Sequence, residues 1–381
     1  MRAIDNDNKH QLTQAVTNFI LNTTSDVDIG LEFTFELLKH NPYRIGALTL
    51  HTRFVEFKLR HLLVSQGLPL ARLAQLFMGE GDRFSVLDAG ATKSEMSQEY
   101  RAWRKDRWRV YGFDPSEAAI LGESDDNIII YPIGLGARKG SVTFYEMSSA
   151  GASSIFPAEG EFAERILNGQ TRLSDSLTTV KTHEVEVIDV DNWRGENEIA
   201  PIDYMKINTQ GSELEILKGS ENTLQTCFGV QLEAAFAGHY KNAPKFWEID
   251  RFLTDRGFTL FDIRKPTSFR RVRDRKNKAS NVGPRIADFA WPSSQVFEAH
   301  LLYLRDPTHP SESQNSIWDE LRSWLMLGVI AEMHGQFDFA IQLLEIVLNE
   351  RTDMLEQRVD EFTRHVDAIF NTYTEIEKRH F

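Results

Sequence analysis

Residues 203–219 constrain the fold of this chain more than any other part of the sequence. Residues 204–207 form a short apolar run, and Gly211 permits a sharp turn after it. Apolar side chains then recur at helical spacing: Leu214, Ile216 and Leu217. The segment therefore predicts a buried strand, a glycine turn and a helix. At the carboxyl end of this strand, where open α/β sheets bind ligands, stand polar residues: Asn208, Thr209 and Gln210.

Strand-like apolar runs alternate with helical patterns across the middle of the chain. The predicted strands cover residues 84–88, 110–113, 128–133, 142–145, 205–207, 230–233, 259–263 and 300–304. Such alternation predicts an α/β fold: a Rossmann-like, doubly wound, mostly parallel sheet between two layers of helices. We expect seven strands in this sheet.

Helical patterns flank the α/β region on both sides, so we divide the chain into residues 1–80, 81–308 and 309–381. In the last part, small and apolar residues fall at the offsets of one tetratricopeptide repeat: Trp324, Leu327, Gly328, Gly335 and Ala340. An ordinary helical hairpin is the favoured explanation, because such repeats need about three copies. A heptad-spaced seam from Leu355 to Ile376 then predicts a long helix, which could pair in a homodimer or dock on its own chain.

Composition excludes several classes of protein. The net charge of -13 and the isoelectric point near 5.4 argue against a general nucleic-acid binder. Cys227 is the single cysteine, so an intrachain disulfide is impossible. Apolar runs stay below the roughly 18 residues that span a bilayer. We therefore expect a cytoplasmic protein without a transmembrane segment.

Two acids at the ends of successive predicted strands indicate a nucleoside site. Asp88 and Gly90 follow the first strand, where glycine lets a ligand approach the backbone. Asp114 follows the second strand, about where an acid meets ribose hydroxyls. The common alternative is an Asp-Pro turn at a strand end. A G-x-G-x-x-G fingerprint is missing, which argues against a nicotinamide oxidoreductase.

Together these segments resemble the class I S-adenosylmethionine-dependent methyltransferases, and more closely the FkbM-type family, over residues 84–305. The resemblance rests above all on residues 203–219, the most specific of the motifs. Less specific matches are residues 86–91, 112–115, 134–136 with Gly140, Ser153, Ser154, residues 231–233, Tyr240 and residues 257–258.

The resemblance implies S-adenosylmethionine as the cofactor and methyl transfer to an oxygen of a sugar, a polysaccharide unit or a secondary metabolite. By position, residues at the ends of three strands would bind the cofactor. Those toward its methionine part are Asp88, Gly90 and Ala91, with Thr92 and Asn208 beside them. Asp114 would hold the ribose, and Ile133 and Gly134 would lie near the adenine.

Removing a proton from the acceptor hydroxyl requires a base, and His239 is one candidate because imidazole titrates near neutral pH. The other candidates for catalysis, by basicity or orientation of the acceptor, are Glu213, Glu233, Asn208 and Tyr240. An exposed histidine and a helix-capping acid are the ordinary explanations of His239 and Glu213. Metal-ligand spacing is lacking, so we predict no metal.

Departures from the family pattern in two motifs leave an alternative function open. Thr92 and Ser94 stand where the family has asparagine and glycine, and Asn208 stands where it has aspartate. The alternative is therefore a methyltransferase fold that has lost turnover and serves as a binding or scaffold module.

Residues 264–278 carry eight basic residues against one acid. Such a run is commonly a solvated loop, but it could gather an anionic acceptor or touch an anionic membrane surface.

Overall fold

The computed structural model describes residues 68–91, 107–115, 127–160, 176–268, 295–310, 312 and 315–380. Residues 67–369 form one compact unit, and residues 1–66 with 370–381 form another. The fold described below is that of the larger unit. Within the described residues, no helix is both long and apolar enough to cross a membrane.

A seven-stranded sheet forms the centre of this unit, as the sequence predicts. In chain order its strands are β1 (Phe84–Ala89), β2 (Trp108–Phe113), β3 (Ile128–Tyr131), β7 (Tyr204–Ile207), β8 (Gly229–Ala235), β9 (Phe258–Ser268) and β10 (Val296–Arg305). Their order across the sheet is β3-β2-β1-β7-β8-β10-β9. The first five are parallel, and β10 runs antiparallel to β8 and β9. The carboxyl ends of β1, β2, β7 and β8 therefore share one edge.

A second sheet has three strands, in the order β4-β6-β5. Its strands are β4 (Gly134–Leu135), β5 (Gly140–Met147) and β6 (Thr179–Ile188). The predicted strand 142–145 belongs here rather than to the central sheet, and the predicted strand 128–133 ends at Tyr131. Because β5 and β6 are antiparallel with many exposed side chains, they lack the continuous burial of β1.

Helices lie before, between and after the strands of the central sheet. They are α1 (Pro69–Phe77), α2 (Val190–Glu196), α3 (Glu213–Lys218), α4 (Glu221–Leu224), α5 (Phe246–Thr254), α6 (Leu321–Met333), α7 (Phe337–Glu350) and α8 (Val359–His380). One continuous core joins β1, β2, β7, β8 and β10 to α2, α3 and α5. Its most completely buried side chains include Leu87, Met205 and Leu301. This burial fixes the strands whose ends form the candidate site.

The helices α6 and α7 form the predicted helical hairpin, but Gly328 has a different role from the one the repeat pattern suggested. A β-carbon on Gly328 would lie 3.3 Å from Leu70, so this glycine admits α1 rather than the other half of the hairpin. The side chain of Arg322 at the start of α6 donates to Asp203, at 2.7 and 3.0 Å. Asp203 is fully buried just before β7 and also accepts from the amide of Ser85 at 2.8 Å.

The heptad-spaced seam lies on α8, and its first half is buried within the larger unit. Leu355, Phe362, Val366 and Ile369 are all buried. Phe362 contacts Phe77 of α1 edge to face, with ring centroids 5.0 Å apart. Docking on the chain itself therefore accounts for this half of the seam.

Candidate active site

The turns after β1 and β7 lie against each other at the carboxyl edge of the sheet. Gly90 has φ +80°, and its amide donates to the carbonyl of Phe113 at 2.9 Å. The amide of Asn208 donates to the carbonyl of Ala89 at 2.9 Å. A β-carbon on Gly90 would come within 2.0 Å of the carbonyl oxygen of Asn208. Only glycine therefore fits here, both for its positive φ and for the space it leaves.

Asp88 is held by its neighbour in the sheet. Its carboxylate is fully buried and accepts from the Nζ of Lys206 at 3.0 Å. The two residues are paired in register across β1 and β7. The ion pair thus joins the two strands that carry the turns at Gly90 and Asn208. Asp88 therefore lies close to both turns. Its predicted contact with the cofactor stays a prediction.

The structure brings the predicted nucleoside residues to the same edge. Asp114 is buried at the end of β2, and its amide donates to the carbonyl of Tyr131 at 3.3 Å. Gly134 lies in β4 of the second sheet, where a β-carbon would be 3.9 Å from Pro115. Ile133 packs on the central core. Thr92, Lys93 and Ser94 lie outside the described residues, as do residues 269–294 of the basic segment and its continuation.

Glu213 fixes the turn after β7. Its carboxylate is buried and accepts from the amide of Thr209 at 3.0 Å, from the hydroxyl of the same residue at 3.2 Å, and from the amide of Gly211 at 2.9 Å. Burial raises the pKa of Glu213, while these hydrogen bonds oppose the rise. With both oxygens engaged by the turn, Glu213 organises the site rather than meeting the acceptor.

Gln210 is the centre of a hydrogen-bond network that joins the ends of β7 and β8. Its Nε2 donates to Glu233 Oε1 at 2.7 Å and to Asn208 Oδ1 at 3.3 Å. Its Oε1 accepts from the hydroxyl of Tyr240 at 3.2 Å. Its backbone carbonyl accepts from the Oγ of Ser154 at 2.6 Å. Three of the predicted residues, Asn208, Glu233 and Tyr240, therefore meet through one amide side chain.

A small cleft opens over this network. Its lining contains three acids, Glu213, Glu233 and Glu298. Glu298 comes from β10, whose pairing with β8 sets His300 opposite Glu233. The Nε2 of His300 lies 3.4 Å from Glu233 Oε2. The remaining lining residues are Gln210, Gly211, Ala235, His239, Tyr240, Ala243, Pro244 and Lys245.

His239 also lines the cleft, but its side chain is buried. Its ring stacks on Phe297 with centroids 4.3 Å apart, its Nδ1 lies 3.3 Å from the carbonyl of Ala237, and its Nε2 lies 3.6 Å from Glu298 Oε2. Burial lowers the pKa of His239 to about 4. The imidazole is therefore neutral at pH 7, and a weak proton acceptor.

Three contributors to the site were not predicted from the sequence: Lys245, Glu298 and His300 as partners of the predicted residues. The predicted strand began at residue 300, so Glu298 fell outside it. Alternation along β10 could have placed Glu298 and His300 on one face. Among the described residues, no three histidine, cysteine or acidic side chains are grouped to hold a metal ion.

Residues 88–260 match a family model described as the methyltransferase FkbM domain. The chain carries an FkbM-type methyltransferase domain. The match identifies residues 88–260 as an S-adenosylmethionine-dependent methyltransferase domain. The matched residues contain the FkbM domain's turns at Gly90 and Asn208 and the Gln210 network. A search of curated proteins finds no match to the chain.

Solved structures similar to this chain include two other methyltransferases. One is the magnesium protoporphyrin IX methyltransferase from Synechocystis PCC 6803 with bound S-adenosylmethionine, at 12% identity, 80% coverage of this chain, 100% of that chain and a TM-score of 0.29. The other is the methyltransferase FkbM from Methylobacillus flagellatus KT, at 11% identity, 68% coverage of this chain, 60% of that chain and a TM-score of 0.30. Both TM-scores are low, so the family assignment rests on the match to the FkbM domain.

Proposed function

We propose that the chain methylates a hydroxyl group of a sugar, a polysaccharide unit or a secondary metabolite. The observation that carries the proposal is the Gln210 network, which fixes the carboxylate of Glu233 at an open cleft. This cleft lies beside the turn at Asn208, whose backbone touches the turn at Gly90. An acceptor in the cleft would thus lie next to the edge where the domain binds its cofactor.

The residues at this edge suit S-adenosylmethionine. Gly90 lets the turn after β1 pack directly against the turn after β7, at the edge where open α/β sheets bind ligands. Asp114, at the end of β2, has the chemistry to accept bonds from a ribose diol. When bound, S-adenosylmethionine supplies a methyl group on a positively charged sulfur. The protein's own task is to hold the acceptor in line and to remove its proton.

Glu233 is the best placed of the candidate bases. Glu213 engages both of its oxygens with the turn, and the ring of His239 is buried against Phe297. Glu233 lines the cleft with a side chain 14% exposed. It can therefore meet an acceptor hydroxyl and accept its proton as the methyl group is transferred. Asn208, a neutral amide, would orient rather than take a proton.

A binding or scaffold module is the second candidate, and Asn208 is the observation that favours it. The amide at 208 replaces a carboxylate at the edge of the cofactor site, and its Oδ1 accepts from Gln210. A neutral side chain there loses the attraction that a carboxylate has for a sulfonium.

Calorimetric titration separates the two candidates. We expect both S-adenosylmethionine and S-adenosylhomocysteine to bind, and Asp114→Ala to weaken both about tenfold or more. Full-length protein would then be assayed with labelled S-adenosylmethionine on a panel of sugars and polyols. Transfer that Glu233→Gln abolishes while cofactor binding persists supports the enzyme. Binding without transfer across the panel favours the scaffold, and no binding at millimolar cofactor defeats the proposal.

A further inference from the structure

We propose that Gln210 is a positioning residue: its amide holds Glu233 ionised at the cleft. The inference rests on the proposed function, because it concerns the group that takes the acceptor proton. Gln210 itself touches none of the reacting atoms, and it acts through Glu233. The two side chains come from different strand ends, joined by the 2.7 Å bond from Nε2 to Oε1.

The backbone at Gln210 is held in a conformation that side-chain-bearing residues rarely adopt. Its φ is +57°, and that of Gly211 is +111°. The turn keeps this conformation because Glu213 accepts from the amides on both sides of Gln210, and Ser154 donates to its carbonyl. An uncommon backbone held by several bonds is typical of functional sites. Here it directs the amide side chain across to β8.

The orientation of the amide follows from its neighbours. Its nitrogen faces two oxygens, Glu233 Oε1 and Asn208 Oδ1. Its oxygen faces the hydroxyl of Tyr240, which stays protonated because burial raises the pKa of Tyr240. The one proton of this hydroxyl is shared with the carbonyl of Ala152, which lies 2.6 Å from the same oxygen. Reversing the amide would set oxygen against carboxylate, so the nitrogen donates to Glu233.

A donor at this distance stabilises the ionised form of Glu233 over the protonated form. The other oxygen of Glu233 faces His300 Nε2 from β10 at 3.4 Å. Other titratable groups surround the same cleft: Glu213 from α3, Glu298 from β10, and His239, Tyr240 and Lys245 from the segment after β8. Two of these, Glu213 and Glu298, are acidic, and a nearby negative charge disfavours the ionised form of a carboxyl group. The donor from Gln210 opposes them.

Two substitutions by residues of nearly the same size as glutamine test the inference. Gln210→Met removes the donor, and Gln210→Glu sets a second carboxylate against Glu233. We expect the pKa of Glu233 to rise by about 1 in Gln210→Met and by more in Gln210→Glu. The measurement is a pH titration of the glutamate side-chain carbon signals by NMR in the full-length protein. Glu233→Gln identifies the signal.

Gln225→Met is the matched control, since it makes the same exchange at the end of α4, in a different part of the unit. It should leave the pKa of Glu233 at its wild-type value. A purely structural role for Gln210 would lower the melting temperature without moving that pKa, and this result would overturn the inference. An unchanged pKa in both Gln210 variants would overturn it as well.

The NMR titration of Glu233 does not require a known acceptor. If the pKa order holds but no panel member is methylated, the positioning role stands and hydroxyl methylation fails. If methylation occurs, the inference further requires that the acidic limb of the kcat profile shifts upward with the pKa of Glu233 in Gln210→Met. A profile that does not move would remove Gln210 from any part in the reaction.

Discussion

Gly90 and Asn208 form the closest approach between the two turns of the candidate site: a β-carbon on residue 90 would lie 2.0 Å from the Asn208 carbonyl oxygen. The two residues are far apart in sequence but end adjacent parallel strands, β1 and β7. Any shift of one turn therefore displaces the other. The proposed cofactor edge and the proposed acceptor cleft are joined at this contact.

Replacing Gly90 by alanine should destabilise the protein and weaken cofactor binding. The added carbon meets backbone rather than a flexible side chain, and the φ of +80° is strained for alanine. We expect a loss of about 2 to 4 kcal/mol in the free energy of unfolding, measured by urea titration. Gly140→Ala is the control, since nothing lies within 4 Å of a β-carbon there. Equal losses in both variants would contradict this account of Gly90.

The ion pair between Arg322 and Asp203 should be a main attachment of α6 to the central sheet. Arg322→Met leaves the carboxylate of Asp203, whose side chain is 1% exposed, without its cation. Burial raises the pKa of Asp203, and Arg322 opposes that rise. We expect a loss of about 3 kcal/mol in chemical denaturation. Arg251→Met, at a side chain 85% exposed, should change stability by about 0.5 kcal/mol or less.

His239 should make stability depend on pH in the acidic range. Burial lowers its pKa from 6.5 to about 4, so between these values the unfolded chain binds a proton that the folded chain does not. The contribution of His239 to the free energy of unfolding is fully present above pH 6.5. It is lost as the pH falls toward 4, and the total loss is about 3 kcal/mol. His239→Phe should remove this part of the slope in urea titrations at several pH values.

The control for that experiment is His183→Phe, at a side chain 32% exposed on β6. This substitution removes an imidazole from a different part of the fold, so its effect on the slope is compared directly with that of His239→Phe. If the His239→Phe variant also retains the full wild-type slope, then the histidine is not neutral in the folded protein, and the argument against it as a base loses its support.

Cys227 should resist thiol reagents as long as the protein is folded. The side chain is fully buried, and burial raises the pKa of its thiol to about 12. Because the thiolate is the reactive form, labelling by an aromatic disulfide reagent should require unfolding. We expect the labelling rate in native buffer to be at least about a hundredfold below that in urea. Rapid labelling of native protein would show that the β7–β8 region opens locally.

The strand pattern of the central sheet was predictable because parallel strands buried on both faces leave continuous apolar runs. Residues 84–89 are all buried, and the sequence of this segment is mainly apolar. The strand β6 was missed because many of its side chains are exposed and it lacks a continuous apolar run. For the same reason the segment at 142–145 was predicted as a strand but assigned to the wrong sheet. Alternation reveals a strand but does not name its partner.

The sequence by itself determined the strand, turn and helix at 203–219, because local apolar spacing and glycine govern such units. It also identified Asp88, Asp114 and Glu233 as strand-end acids. Only the tertiary structure decided their chemistry. Burial turned His239 into a weak base, and the backbone of the turn engaged Glu213. The bond from Gln210 to Glu233 depends on two strand ends meeting in space, a long-range contact that no local spacing encodes.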